Sequence, residues 1–531
     1  MNKSNNWDAI VIGSGLGGLT AAAYLCTNGL RTLVLESHYV AGGNTQVFRR
    51  KALHGKKSFE FDVGVHYVGD CGPEGVIPTI LRGVGLEDKI EFLEMDPDGF
   101  DTLMFPGLTF RVPKGWDRYR ERLVAAFPDE ETGIHRCLDV FQGQAPDAMN
   151  WMMRPLSELF DDCGLSQRAR AVIGGQSGAY GSPPSRAPVV IQAGLIGHYL
   201  KGAYYPKGGG QMFAGHLIDV IRSNDGDVRM RARVERILVE DGCAVGVRMA
   251  TGEEFRAPVV ISNADLKRTF FELLGEEHVA LERAATLREY RMSLPIFCVY
   301  LALDIDLSEQ VPDTNFWYYT SFDIEGMYQD CYKGRIPAEL GLFITMASVK
   351  DRQTERIAPE GYSSLEVMSW VPPDYQVWGD VQEGPVAGER YHNKAAYRTF
   401  KDELTDVMVA GAQQALPAIK DHIIWKEAAT PITQEHYTRS TGGTSYGLEI
   451  ATDQFGPHRP PPKTEIEGLY LVGASTLFGH GIVGVMRGGV GCASAVLERD
   501  LMAEVTDGKV FGDPARLTAG GPDWDPWEAC R

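Results

Sequence analysis

Gly13, Gly15 and Gly18 stand in the spacing G-x-G-x-x-G within WDAIVIGSGLGGLTAAAYLCTNGLRTLVLE, the stretch 7–36, and Glu36 closes that stretch. Residues of these types, so spaced, are suited to holding a dinucleotide. The first glycine permits a tight turn, the second lets the backbone approach a pyrophosphate, and the third lets a helix pack close to a sheet. The amides that open such a helix face the anion. A carboxylate at the end of the next strand accepts hydrogen bonds from ribose hydroxyls.

The elements that must position them follow from the pattern of apolar residues. Ala9–Ile12 predicts a buried strand, Leu16–Cys26 a helix ended at Gly29, and Arg31–Leu35 a second strand. Far downstream, 227–265 alternates short strands with turns at Asp241-Gly242 and Thr251-Gly252, a meander that returns to a buried strand at Val259–Ser262. The stretch 468–500, GLYLVGASTLFGHGIVGVMRGGVGCASAVLERD, reads as strand, glycine-rich loop and helix. Between these regions, 71–203 is mostly helical in pattern. In 290–425, Pro295–Leu303, Leu342–Ser348 and Ser364–Val371 predict an antiparallel sheet, with a helix over Asn393–Leu416. The expected fold class is α/β (α+β overall). A Rossmann-type nucleotide domain is assembled from 1–70, 204–289 and 426–505, interleaved with a substrate domain of antiparallel sheet and helices from 71–203 and 290–425. The stretch 506–531, rich in Gly, Pro and Asp, is expected to be a loosely held tail.

The arrangement favours FAD over NAD. A nicotinamide-dependent dehydrogenase keeps its site within one contiguous half of the chain, whereas here one glycine cluster opens the chain and a second closes it. The last helix can then present its positive N-terminus to the N1–C2=O edge of a flavin, where negative charge builds on reduction. PKGGGQMFAGH (206–216) is glycine-rich but lacks the third-glycine spacing, so no dedicated NADH domain is expected. The electron partner is then the substrate itself, an acceptor such as oxygen or a quinone, or a separate reductant.

Composition narrows the partners. The 52 basic and 71 acidic residues give a net charge of −19, which repels phosphate backbones and argues against nucleic acid. It also disfavours purely electrostatic docking on anionic lipid. The nine cysteines are scattered without metal-ligand spacing, so they read as reduced structural thiols and no metal site is expected. No apolar run reaches the ~18 residues that span a bilayer, and no secretory pattern opens the chain. The expected location is cytoplasmic, with peripheral membrane contact.

Several motifs in order carry a resemblance. LESHYVAGGNTQVF, FEFDVGVHYVG, YYPKGGGQMFAGHLIDVI, MASVKDRQTERIAPEGYSSLEVMSWVP, ATPITQEHYTRSTGGTSYGLE and GLYLVGAS resemble the FAD-dependent amine-oxidase-like superfamily. Within it they resemble the branch of phytoene desaturases, carotenoid isomerases and retinol saturases, and the His-Tyr pair is most like the saturases. The resemblance implies that Glu36 lies at the adenosine ribose, with Ser37 beside it among the cofactor-binding residues, and the backbone of Val234 at the adenine. Gly13, Gly15, Gly18, Gly42 and Gly43 fall along the pyrophosphate and the nearby loop, with Ser14, Leu16, Gly17 and Asn44 among the cofactor-binding residues of the same segments. Gly473, Ser475, Ile482, Val483 and Gly484 fall beside the flavin. Asn44 stands where many relatives carry a basic residue, and Ser475 where many carry Asp.

The implied chemistry is desaturation, saturation or isomerisation of C–C double bonds in an apolar polyene or isoprenoid. The stretches 187–205, 294–303 and 315–320 supply apolar surface, with 187–205 the candidate membrane contact. Hydride exchange at one carbon leaves a proton to be given to or taken from the next. His66 and His480, with Tyr67 and Tyr446 as hydroxyl alternatives, lie in segments that the resemblance brings near the flavin. Two other readings share the fold: an amine or amino-acid oxidase, and a non-catalytic carrier of a lipidated partner like the Rab GDP-dissociation inhibitors.

Overall fold

The structure is a computed structural model that describes residues 7–521 and 524–531. Four short apolar runs pair in parallel with the 227–229 strand to form a five-stranded sheet. Its order is Asp227–Arg229, Thr32–Leu35, Ala9–Ile12, Val259–Ser262 and Leu469–Leu471. Ala9 lies opposite both Thr32 and Val259, and Val260 opposite Leu469. Side chains alternate between two cores, as the period of a strand requires. Ala9, Val11, Val34 and Ile261 face one, and Ile10, Ile12, Leu33, Leu35 and Val260 the other.

On the first face pack the helices Leu16–Thr27, Gln211–Ser223 and Gly481–Leu497. The first and last of these touch through small residues: a Cβ on Gly489 would lie 2.7 Å from the Gly17 carbonyl oxygen. On the second face packs the antiparallel meander Val234–Glu240, Cys243–Met249 and Glu254–Arg256. Three separate stretches of chain thus build one layered unit.

The second sheet has seven strands in the order Ile423–Ala429, Ile296–Leu303, Ser363–Trp370, Gly341–Thr345, Asn315–Tyr319, Asp101–Phe105 and Leu108–Val112. All neighbours are antiparallel except 315–319 with 101–105. Helix Ala395–Ala415 covers one face through Met408 and Ala412 against Val299, Ile344 and Val367. Helices between Trp116 and Leu200 form the cap beside the sheet.

Within 71–203, mostly helical in pattern, Pro106-Gly107 makes a two-residue turn, with Gly107 at φ +70°, and the hairpin around it joins the large sheet. Two expectations need correction. The boundary expected at 426 falls inside the Ile423–Ala429 strand, which pairs with Ile296–Leu303 across Tyr300 and Glu427. The tail is not loose along its described residues. Its apolar side chains find a surface on helix Gln211–Ser223, where Trp524 lies against His216 with ring centroids 4.6 Å apart. Cys530 is buried and its carbonyl accepts the Ala41 amide at 2.8 Å, while Asp525 pairs with Arg49 at 2.7 Å.

Candidate active site

The parallel strands end on a cavity. Ile12, Leu35, Ser262 and Leu471, the last residues of four of them, line its floor. Tyr300, Trp317, Phe343 and Met368 line its far side from the seven-stranded sheet. Ligands of open α/β sheets bind at the carboxyl ends of the strands. The cavity holds about 1720 Å³, against on the order of 300–1,000 Å³ for a single-ligand pocket. It has room for a dinucleotide and a second molecule.

Of the residues singled out in the sequence, nearly all reach this one wall. Gly13, Gly15, Leu16, Gly17, Glu36, Ser37, Gly42, Gly43, Asn44 and Val234 line one arm. Gly473, Ser475, Ile482, Val483, Gly484, His66, Tyr67, Tyr446 and His480 line the remainder. Ser14 and Gly18 stand behind the wall instead. Ser14 is buried, and its N–H and hydroxyl both donate to Glu36 Oε2, at 2.8 and 2.7 Å. Gly18 packs so closely that a Cβ there would lie 2.6 Å from the Gly13 carbonyl oxygen. Both act by shaping the loop.

The loop is built for close approach. Gly15 bridges to Gly42, and a Cβ on Gly43 would lie 3.0 Å from the Gly15 Cα. Glu36 Oε1 also accepts the His38 amide at 2.7 Å, so the carboxylate is fixed at the mouth of the first arm. Asn44 accepts from Gln434 at 2.8 Å and is held away from the role of a cation. Sequence reasoning missed Asn263. It directly follows the Val259–Ser262 strand, and its amide would lie 2.6 Å from a Cβ on Gly15 and 2.8 Å from one on Gly473. The signal was present, a polar side chain at the carboxyl end of a central strand.

The residues present fit FAD. Helix Leu16–Thr27 and helix Gly481–Leu497 both point their N-termini into the cavity, and neither carries an acidic residue in its first turn. Each positive helix end is thus left for an anionic or electron-accepting group of a ligand. Glu36 directly follows the strand Thr32–Leu35 and lines the cavity, the position from which a dinucleotide fold offers an acid to a ribose.

Beyond the 481 helix the wall turns apolar. Tyr67 stacks on Tyr199, with centroids 4.2 Å apart, and Trp317 packs on Phe343 at 4.5 Å. Val190, Ile191 and Leu195 add aliphatic surface from helix Val189–Leu200, while Val189 and Ile196 of that helix serve the core. From the 294–303 stretch only Ile296, Cys298 and Tyr300 reach the cavity, because alternate strand residues point into the opposite core.

Three histidines, His66, His198 and His480, line the cavity here, and burial lowers the pKa of each. Burial, with the nearby Arg459 charge, lowers His480 to about 3. Burial lowers His66 to about 4, with Asp62 opposing and Lys350 assisting. Tyr446 is pushed up to about 12 by burial. Tyr67 is raised well above the ordinary tyrosine value by burial and by Asp101, whose Oδ2 accepts its hydroxyl at 3.0 Å.

Comparison with known proteins places this geometry in a family. A family model described as flavin containing amine oxidoreductase matches residues 16–304. The all-trans-retinol 13,14-reductase of Macaca fascicularis is 30% identical over 94% of this chain and 87% of its own length. The chloroplastic prolycopene isomerase of Daucus carota is 27% identical over 93% of this chain and 81% of its own. A protein of solved structure from Pyrococcus furiosus shares the fold at a TM-score of 0.61, with 16% identity over 92% of this chain and 98% of that one. With its loop, its paired helix ends and these relatives, the chain belongs to the flavin-containing amine oxidoreductase family and is an FAD-dependent oxidoreductase.

Proposed function

We propose that the protein adds hydrogen to, removes it from, or rearranges a C–C double bond of a long apolar polyene. The observation that carries this reading is the second arm of the cavity. Around Trp317, Phe343, Met368, Trp370 and Tyr446 its lining is aromatic and aliphatic, and none of these five carries a carboxylate. A charged amine would find no counter-charge there, whereas a polyene is matched by flat aromatic walls. The relatives named for retinol and prolycopene support the same substrate class.

Bound FAD supplies hydride exchange at its N5, with the two electrons coming from or passing to a separate redox partner. This chain's residues do the rest. The loop at Gly13–Gly17 and Glu36 hold the adenosine diphosphate half, with Val234 at the adenine. The first turn at Ile482–Gly484, with Gly473 and Ser475, orients the reactive half. Tyr67, Tyr199, Trp317 and Phe343 exclude water from the reacting carbons. His66 transfers the proton that accompanies hydride, with Tyr67, Tyr446 and His480 as the alternatives. Helix Val189–Leu200 is the surface we assign to peripheral membrane contact, where a lipid-dissolved substrate would enter.

The test is chromatography and mass spectrometry of organic extracts from cells that express the wild type or Gly15→Val and are supplied with all-trans-retinol or prolycopene. A dihydro, dehydro or isomerised product made only by the wild type is expected. Identical extracts from both would overturn the reading.

A further inference from the structure

Behind His66 lies a buried set of ionisable groups that the chemistry above does not use. Glu366, on the strand Ser363–Trp370, is 1% exposed, and its Oε2 lies 3.6 Å from His66 Nδ1. That nitrogen is buried without a hydrogen-bond partner. Glu366 Oε1 accepts the Asp62 amide at 3.3 Å. Asp62 itself is fully served, since Gly210 N–H donates to Oδ1 at 2.9 Å and the Tyr205 hydroxyl to Oδ2. Lys350, also buried, donates to the His66 carbonyl and to Asn315 Oδ1, both at 2.6 Å, and to Thr345 Oγ1.

These bonds decide where the protons sit. Lys350 is one ammonium facing four buried acids, Asp313 first and then Glu366, Asp101 and Asp62, so it cannot balance them all and the acids with fewest donors keep their protons. Asp62 receives donors on both oxygens and is the carboxylate. Glu366 has no donor on the oxygen that faces His66, so it is the acid. Burial pushes Glu366 up, against the pull of Lys350. Burial, reinforced by Glu366, pushes Asp62 up, and the Tyr205 and Gly210 donors oppose that rise. Tyr300 and Cys298, from the neighbouring strand Ile296–Leu303, also face Glu366 and are themselves pushed up by burial, hence neutral.

We propose that Glu366 is the proton reservoir of the cavity, supplying Nδ1 of His66 as Nε2 of the same ring gives its proton to a substrate carbon, and that Lys350 compensates the carboxylate left behind. This rests on the reading that His66 handles the substrate proton. The balance is complete. One proton leaves His66 Nε2 and forms a C–H bond with an electron pair on carbon. One proton leaves the Glu366 carboxyl for His66 Nδ1. The ring is neutral before and after, with its tautomer exchanged, and the negative charge moves from carbon to Glu366. The 3.6 Å gap closes to a hydrogen bond by a small rotation of either side chain, as loose catalytic contacts tighten when substrate binds. Glu366 is thus a positioning and storage residue, one ring removed from the reacting atoms.

The test is infrared difference spectroscopy of the FAD-loaded enzyme, wild type against Glu366→Gln. At pH 7 the wild type is expected to show the high-frequency C=O stretch of a protonated buried carboxyl, and the variant to lack it. Asp62→Asn removes the neighbouring negative charge, so the band is expected to vanish at lower pH than in the wild type. That variant keeps the test available if Glu366→Gln folds poorly. Absence of the band from the wild type at pH 7 overturns the proposal. Single turnover of all-trans-retinol by the dithionite-reduced enzyme adds a second readout. Glu366→Gln is expected to slow it on the order of a hundredfold at unchanged flavin content, and a wild-type rate overturns the relay. If the wild type shows the band but leaves all-trans-retinol untouched, the substrate reading fails and the reservoir stands.

Discussion

Tyr446 and His480 stack face to face, with ring centroids 4.3 Å apart and planes 4° apart. The pair forms a flat wall of the cavity where helix Gly481–Leu497 begins, and it has a consequence for stability. His480 has an ordinary value of 6.5 and is held near 3 in the fold, first by burial and then by Arg459. The unfolded chain therefore binds the extra proton between those values. The stability contributed by keeping His480 neutral is whole above about pH 6.5 and falls as pH drops through that window. At pH 5 the loss is on the order of 2 kcal/mol for this residue. His480→Phe keeps the stack and removes the titration, so its denaturation midpoint should fall less than the wild type's between pH 7 and pH 5. Equal falls would contradict a neutral buried ring.

Gly15→Val should abolish flavin binding. A Cβ at this position already lies 2.6 Å from Asn263 Nδ2, and a branched side chain would fill the space needed by the pyrophosphate. The purified variant is expected to be colourless, with no flavin recovered after reconstitution. In the wild type, acid precipitation should release all flavin to the supernatant, the behaviour expected of a flavin held without a covalent bond. Flavin retained by the precipitate would point to attachment, with His480 the first residue to examine.

His66→Ala should stay yellow and lose turnover on the order of a hundredfold, with flavin content measured by absorbance and turnover by product formation. If the variant turns over the substrate within a few-fold of wild type, His66 is structural and the proton passes through Tyr67, Tyr446 or water.

NADH and NADPH should reduce the flavin poorly. The other glycine-rich turn, before helix Gln211–Ser223, has its amides taken by carboxylates: Gly208 N–H donates to Asp351 at 2.8 Å and Gly210 N–H to Asp62 at 2.9 Å. Its donors are spent inside the protein and none is left for a phosphate. Anaerobic stopped-flow mixing checks this, and fast bleaching at micromolar nicotinamide would reveal a site elsewhere.

The legible parts of this protein were those set by local rules. The strand Ala9–Ile12 and the helix starting at Leu16 follow from an apolar run meeting a glycine turn. The second glycine cluster likewise announced the Gly481–Leu497 helix. The hidden parts depend on contacts between residues far apart in sequence. Nothing local in DTLMF tells that Asp101–Phe105 adds in parallel to a strand beginning at Asn315. Glu366 sits in a run that reads as an ordinary strand, and only folding brings it beside His66 and Asp62. Ser14 was counted among cofactor contacts because sequence gives no direction to a side chain in a loop, whereas the structure turns it inward to Glu36.

The central claim, that this flavin acts on a polyene double bond, is tested most directly by mixing the dithionite-reduced protein anaerobically with all-trans-retinol. The expected result is the return of oxidised flavin absorbance at the same rate as loss of polyene absorbance, with a dihydro product. Flavin that stays reduced in the presence of all-trans-retinol and of prolycopene, with neither polyene altered, while putrescine or another alkylamine bleaches the oxidised flavin, would contradict it and make the protein an amine oxidase.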